Sequence, residues 1–355
     1  MSNRSGRRVT WVAGGTRTPM GQQHYESEIQ AALRRQPDAG EWDFHSVTVT
    51  SMRAKIPTAR HFPAQLADRT RFGVARLIGG LTYRTGGLIH RFDLRLPPAA
   101  GPEVVTVHDL PPLRFTDEGT LPRFSVESGT RAAAIICPSE FAANEIRALL
   151  HTDRVSVIPY GLSHPYDAPV AASPAELKRL GLDGPFIVHA AGATQRKNLP
   201  ELARAWELLL KADVNATLVL CGPPDGRRDA LFAHLPGTRL MGRLEPTTVC
   251  KLMSSAAAVV VPSIYEGFGL PALEGMACGV PVVAARCGAL PEVCLGSAEM
   301  VEPDGEAIAA GLNRVLTDEA LAARLRAAGP CRAQEFSWAE AARRHLDLYR
   351  SVLGD

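Results

Sequence analysis

The chain has 355 residues, 46% hydrophobic and 21% charged, and its 39 Lys/Arg against 37 Asp/Glu leave a net charge of +2. This is the composition of a soluble globular protein with room for two domains. It holds no run of eighteen apolar residues to cross a membrane, and no nucleic-acid partner is expected.

Seven cysteines, an odd set without C-x-x-C spacing, read as buried thiols of a reducing compartment, with neither a disulfide framework nor a zinc site. The start, MSNRSGRRVTWVAGG, lacks an apolar core of signal-peptide length, so a cytoplasmic protein is expected. Val9–Ala13 reads as a first strand, followed by a loop to about Gly21 and a helix over Gln22–Arg35. Gly14-Gly15 lacks the G-x-G-x-x-G spacing of a dinucleotide-binding turn. Residues 1–160 carry 20 basic and 15 acidic side chains. Nine basic residues fall between Arg53 and Arg95, against Asp68 and Asp93 alone, interleaved with Leu66, Phe72, Val74, Leu77 and Ile78. A basic amphipathic surface suits anionic lipid headgroups or a phosphorylated acceptor. Peripheral contact with the inner face of the cytoplasmic membrane is thus one reading of 53–95; a solvated, Arg-rich surface is the other. Gly79-Gly80 and Gly86-Gly87 are expected to interrupt any long helix there. Val104–Asp109 is a strand ending in His108-Asp109, where parallel sheets place ligands. Ala133–Cys137 is the next strand, with a helix starting at Ser139 and Phe141 in the core; Val155–Pro159 follows, and Leu162–Ser173 reads as a linker.

In the second half, Phe186–Ala190 is a strand followed by AGATQRKN. Asn198 and Glu201 predict a capping box, and Leu202, Trp206 and Leu209 share one face of the helix that follows. Arg196 and Lys197, set before that helix N-terminus, make an anion site. Ala216–Gly222 is another strand, and Leu240–Leu244 follows it. Ala256–Val261, a continuous apolar run, predicts a strand buried on both faces. The stretch PSIYEGFGLPALEGMACGVPVVAARCGALPE then sets Glu266 and Glu274 eight positions apart across a loop entering a helix. Pro271 is expected at the first helical position, Glu274 in the first turn, and Gly279 as the stop before the strand Val280–Ala284. Ser337 and Glu340 predict a capping box on the last helix.

The segment from Pro262 to Val282 resembles PS-x-x-EGFGLP-x-x-E-x-MA-x-G-x-PV, the signature of the retaining, nucleotide-sugar-dependent glycosyltransferases of family four. The resemblance extends to G-x-x-x-x-R-K-N at Gly192–Asn198, to "HD" at 108–109, and to the "IPNG" stretch at 158–161, where Tyr160 replaces Asn. It implies an α/β GT-B fold, two Rossmann-like domains with parallel sheets facing across a cleft. These would be residues 1–165 for the acceptor, 166–335 for the nucleotide sugar, and 336–355 as a helix crossing back to the first domain. It implies that Arg196 and Lys197 hold the donor diphosphate, Glu266 orients the sugar, and Glu274 holds the ribose hydroxyls. Amides around Phe268, Gly269 and Leu270 and the imidazole of His108 would fix the sugar. Met241 and Arg243 lie in the segment that contacts the base, and Gly21 in the first phosphate loop, where Gln22 replaces a second glycine common in the family.

The expected function is retaining transfer of a hexose, mannose-like on the likeness of the "HDLPPL" segment, from a GDP- or UDP-linked donor. The acceptor is a hydroxyl of a glycolipid, a polysaccharide or a secondary metabolite. No cofactor is expected, and with no Asp-x-Asp triplet no metal is demanded. The alternatives are a nucleotide-sugar 2-epimerase, and a non-catalytic relative that binds nucleotide sugar.

Overall fold

The structure, a computed structural model, describes residues 7–16, 21–54, 56–84 and 86–354. The chain forms two units, one of Met1–Gly161 with Ser337–Asp355 and one of Leu162–Phe336. In the first, strands β1 (Arg7–Gly14), β2 (Trp42–Ser51), β3 (Arg60–Phe62), β4 (Leu88–Arg91), β5 (Glu103–Thr106), β6 (Ala134–Cys137) and β7 (Val155–Val157) form one parallel sheet. Its order is β3-β2-β1-β4-β5-β6-β7. The sequence concealed β4, because two of its four residues are polar and fully buried. Arg91 is held by both oxygens of Glu103 at 3.0 Å, and the two ring nitrogens of His90 lie 2.6 Å from Tyr349 Oη and 2.7 Å from Thr106 Oγ1. Buried charge of this kind persists only when fully paired.

The helix Phe72–Tyr83 runs straight through Gly79-Gly80, which were expected to break it. Gly79 is there for space: a Cβ would come within 2.1 Å of the Pro98 carbonyl oxygen. Phe141, expected in the core, is half-buried, and Ala142, Ala143 and Ile146 fill that place instead. The last helix, Trp338–Leu353, packs in this first unit. It buries His345, Leu346 and Tyr349, with Tyr349 Oη accepting from Trp11 Nε1 at 3.3 Å. Ser337 caps it by accepting from the amides of Ala339 and Glu340; the Glu340 carboxylate instead pairs with Arg343, so the box is half made.

The second unit carries β8 (Phe186–Ala190), β9 (Thr217–Cys221), β10 (Thr238–Gly242), β11 (Ala258–Val261), β12 (Val282–Ala285) and β13 (Glu299–Val301). They too form a parallel sheet, in the order β10-β9-β8-β11-β12-β13. The helix Leu199–Lys211 buries Leu202, Trp206 and Leu209 on it, as the periodicity predicts. Its expected capping box does not form. Asn198 has φ of 55° and makes no side-chain cap, and Glu201 instead accepts from the amide of Gly305 at 2.7 Å, capping a different helix. Of the cysteines expected to be buried, Cys331 is exposed and Cys278 and Cys287 are half-buried.

Candidate active site

In the second unit strand order reverses between β8 and β11, and ligands of open parallel sheets bind beyond the carboxyl ends at such a switch. The loop after β8 makes a single 3₁₀ turn, Gln195–Lys197, and the loop after β11 runs from Pro262 to Gly269. The two are laced together: Ile264 N–H donates to Arg196 O at 2.9 Å, and Asn198 Nδ2 donates to the carbonyls of Pro262 (3.1 Å) and Pro303 (2.8 Å). Asn198 is therefore a staple between loops.

The lacing brings three of the predicted residues onto one ion cluster. Lys197 Nζ donates to Glu266 Oε1 at 2.6 Å, and Arg196 Nη1 to Glu266 Oε2 at 3.2 Å. Glu266 is 5% exposed and Lys197 8%. Burial is the largest influence on the Glu266 carboxyl and pushes its pKa up, but Lys197 and Arg196 together reverse it, and the group titrates below its ordinary value. Two cations against one carboxylate leave the cluster at +1. The backbone of Glu266 is clasped as well: its carbonyl accepts from Ala289 N–H at 2.9 Å, and Gly288, at φ of 60°, lies so near that a Cβ would be 2.6 Å from that oxygen.

The helix after the loop runs Leu270–Ala277, with Gly269 at its N-cap in the left-handed region (φ 104°). It starts earlier than the sequence implied, so Pro271 is the second helical residue and Glu274 the fifth, beyond the first turn. Gly279 ends it with φ of 67°, as expected. Glu274 is half-buried, with no hydrogen bond or ion pair to a described residue, and burial pushes its carboxyl up to about 8. The Phe268 ring packs edge-on against Phe336 at 5.5 Å, which leaves to its backbone any part it takes in binding. Met241 sits at an irregularity where the β10–β9 register shifts between Leu240 and Gly242, a device that re-aims side chains, and Arg243 follows it, exposed.

A raised carboxyl binds more protons folded than unfolded, so the stability that protonated Glu274 contributes is fully present below about pH 4.5 and lost as pH rises through about 8. Replacing Glu274 with Gln is expected to leave melting unchanged near pH 4.5 and to raise the melting temperature by roughly 2–4 °C at pH 8. A difference that stays constant across a pH series of melting curves would refute the uncompensated carboxylate.

In the first unit the order reverses between β1 and β4. Gly21, exposed, opens the helix Gly21–Arg34; the phosphate loop expected before it falls largely on residues 17–20, outside the described residues. Gln22, noted from sequence only as a missing glycine, bridges Glu26 (3.1 Å), the Phe92 carbonyl (3.4 Å) and Asp93 (3.2 Å), and Arg95 grips Asp93. Burial pushes the Glu26 carboxyl up to about 7. His108 lies two residues past the end of β5, with Nδ1 2.5 Å from Tyr160 Oη. Its Nε2 is buried and finds no hydrogen-bond partner of ordinary geometry among the described residues, and burial lowers its pKa to about 4 against the opposing pull of Asp93 and the Phe92 carbonyl. Sequence reasoning missed Glu26 and the contact of Tyr160 with His108; a polar residue at a glycine's place was the available signal for this cluster.

Residues 184–318 match the family model described as "Glycosyl transferases group 1". The chain is 31% identical over 240 residues to O-antigen chain mannosyltransferase B of Escherichia coli, covering 63% of this chain and 62% of that relative, short of two thirds of its length. It is 32% identical over 286 residues to alpha-maltose-1-phosphate synthase of Mycobacterium tuberculosis, covering 71% of this chain and 73% of that one. Among solved structures, a sucrose-phosphate synthase from Thermosynechococcus elongatus shares the fold with a TM-score of 0.75 at 22% identity, over 98% of this chain and 99% of the other.

Proposed function

The chain belongs to the group 1 glycosyltransferases, and on that premise we propose that it transfers a hexose, with retention, from a nucleoside-diphosphate sugar to an acceptor hydroxyl. The observation that carries this is the Arg196–Lys197–Glu266 cluster at the switch point of the second unit. Its residual positive charge, near the N-terminus of the helix Leu270–Ala277, is preorganised for a departing diphosphate. In the reaction the anomeric carbon–oxygen bond to the diphosphate breaks and its electron pair leaves with the phosphate oxygen. The acceptor oxygen bonds the same face of the sugar, and its proton passes to the departing diphosphate. Arg196 and Lys197 neutralise that leaving group without a metal ion. Glu266 orients the sugar and keeps both cations in register. Glu274 accepts from the ribose hydroxyls, a role supported by a carboxyl group that has no partner among the described residues. The loop backbone at Phe268–Leu270 meets the sugar, and Met241 and Arg243 meet the base; within the first unit Gly21 and His108 are the residues proposed to face a ligand. Likeness to a mannosyltransferase supports mannose, and the resemblance of the "HDLPPL" segment supports GDP.

The acceptor is read from the first unit. Met52, Leu66, Val74, Leu77 and Leu81 are each at least half exposed, and Arg53, Arg60, Arg69, Arg71, Arg76 and Arg84 are exposed beside them in sequence. None of these arginines pairs with a carboxylate among the described residues, and Asp68 is the sole acidic residue from 52 to 84. An apolar stripe with unpaired cations supports a lipid-linked or otherwise amphiphilic acceptor at an anionic membrane surface.

A thermal-shift screen against UDP, GDP, ADP, dTDP and CMP, with EDTA and with Mg²⁺, tests the donor half. GDP alone raising the melting temperature equally under both conditions is the expected outcome. Donor turnover is then followed with and without anionic vesicles and candidate acceptors. Conversion of the donor without an acceptor would favour a 2-epimerase, and binding without turnover a non-catalytic relative.

A further inference from the structure

Resting on the reading of His108 as a ligand-facing group of the first unit, we propose that Tyr160 is the positioning residue that fixes His108 as an Nε2–H donor. A neutral imidazole has one N–H and one bare nitrogen, and which is which follows from the partner of the ring. The partner here is the Tyr160 phenol, 2.5 Å from Nδ1. A phenol donating to Nδ1 leaves the proton on Nε2, the nitrogen that is buried and has no hydrogen-bond partner of ordinary geometry among the described residues. A buried donor of this kind is costly in the free protein and satisfied when a ligand oxygen arrives.

The phenol itself has little freedom. Tyr160 is 7% exposed, its ring stacks on Trp338 (6.1 Å, 18°) and tilts against Tyr25 (4.8 Å), and Tyr25 meets the His108 ring edge-on at 4.9 Å. Gly161 closes the fit, since a Cβ there would lie 2.2 Å from Trp338 N. The charged groups acting on the imidazole are Asp93 and Arg95, bonded to each other, and burial keeps both the imidazole and the phenol neutral. Asparagine at this position, as in the resembling motif, is shorter and does not carry a hydroxyl, so the arrangement is a property of this chain.

The test is nitrogen-15 NMR of the histidine side chains, with His108→Gln for assignment, alongside the rate at which donor sugar releases nucleoside diphosphate. The wild-type ring is expected to show a bare Nδ1 and a protonated Nε2. Tyr160→Phe is expected to redistribute the tautomers and lower kcat about tenfold, with donor KM unchanged. A protonated Nδ1 in the wild type would overturn the assignment. Unchanged tautomer and unchanged kcat in Tyr160→Phe would overturn it as well. Full turnover by His108→Gln would instead overturn the role of His108, while the wild-type tautomer still decides that of Tyr160.

Discussion

Replacing Lys197 with Ala is expected to cost about a hundred- to a thousandfold in kcat, the usual loss when one preorganised donor to developing negative charge is removed. The same change removes the shorter of the two contacts to Glu266, 2.6 Å against 3.2 Å from Arg196. Breaking a buried pair on one side costs up to about 3–5 kcal/mol, and here less, because Arg196 still holds the Glu266 carboxylate. The two losses separate in a double variant. Lys197→Met with Glu266→Gln removes one charge of each sign and leaves Arg196, so it is expected to recover most of the stability and none of the turnover. Because the Glu266 pKa is lowered in the fold, the contribution of the cluster is present above the ordinary carboxyl range and lost as pH falls through the lowered value. The variant's deficit in melting temperature is therefore expected to shrink in acid. Lys197→Ala turning over donor within threefold of wild type, in initial-rate assays, would remove the cations from the leaving-group role.

Replacing Gly288 with Ala is the second large effect expected, and it acts through backbone alone. The position has φ of 60°, and a Cβ would stand 2.6 Å from Glu266 O and 2.7 Å from Glu266 N. Neither atom can yield, since the carbonyl is already bonded to Ala289 N–H. The loop has to move, and a shift of about 1 Å in a reacting group costs on the order of a hundredfold in rate. Turnover is thus expected to fall about that far while nucleoside diphosphate still binds, since the predicted ribose contact, Glu274, lies on the following helix. Loss of turnover with an unfolded circular dichroism spectrum would assign the glycine to folding instead.

Much of the second unit was legible from sequence because β11 and β12 are uninterrupted apolar runs and Glu266 to Glu274 sit in one short, patterned segment, whereas β13, with Glu299 in it, escaped notice. The ion cluster was not legible: nothing in the spacing of Arg196, Lys197 and Glu266 says that 69 or 70 residues of chain close onto hydrogen-bonding distance. Helix boundaries failed where tertiary bonds outbid local ones. Glu201 caps a helix a hundred residues away, and Gly269 starts its own helix before the proline that was expected to lead it. In the first unit, β2, β3 and β4 escaped notice because they carry polar residues whose partners lie far along the chain, as Arg91 with Glu103 and His90 with Tyr349 do.

The helix Trp338–Leu353 has a consequence for how the chain is made. Tyr349 reaches Trp11 and His90, and His345 lies 3.1 Å from Tyr25, so contacts that complete the first unit join residues 338 and 320 positions apart. Synthesis runs from the amino terminus, and domains ordinarily fold in that order. Here the order inverts: Leu162–Phe336 is contiguous, whereas the earlier-made unit waits for residues 338–353, which are made after the whole of the second. A ribosome stalled within the final helix would thus carry a finished second half and an unfinished first.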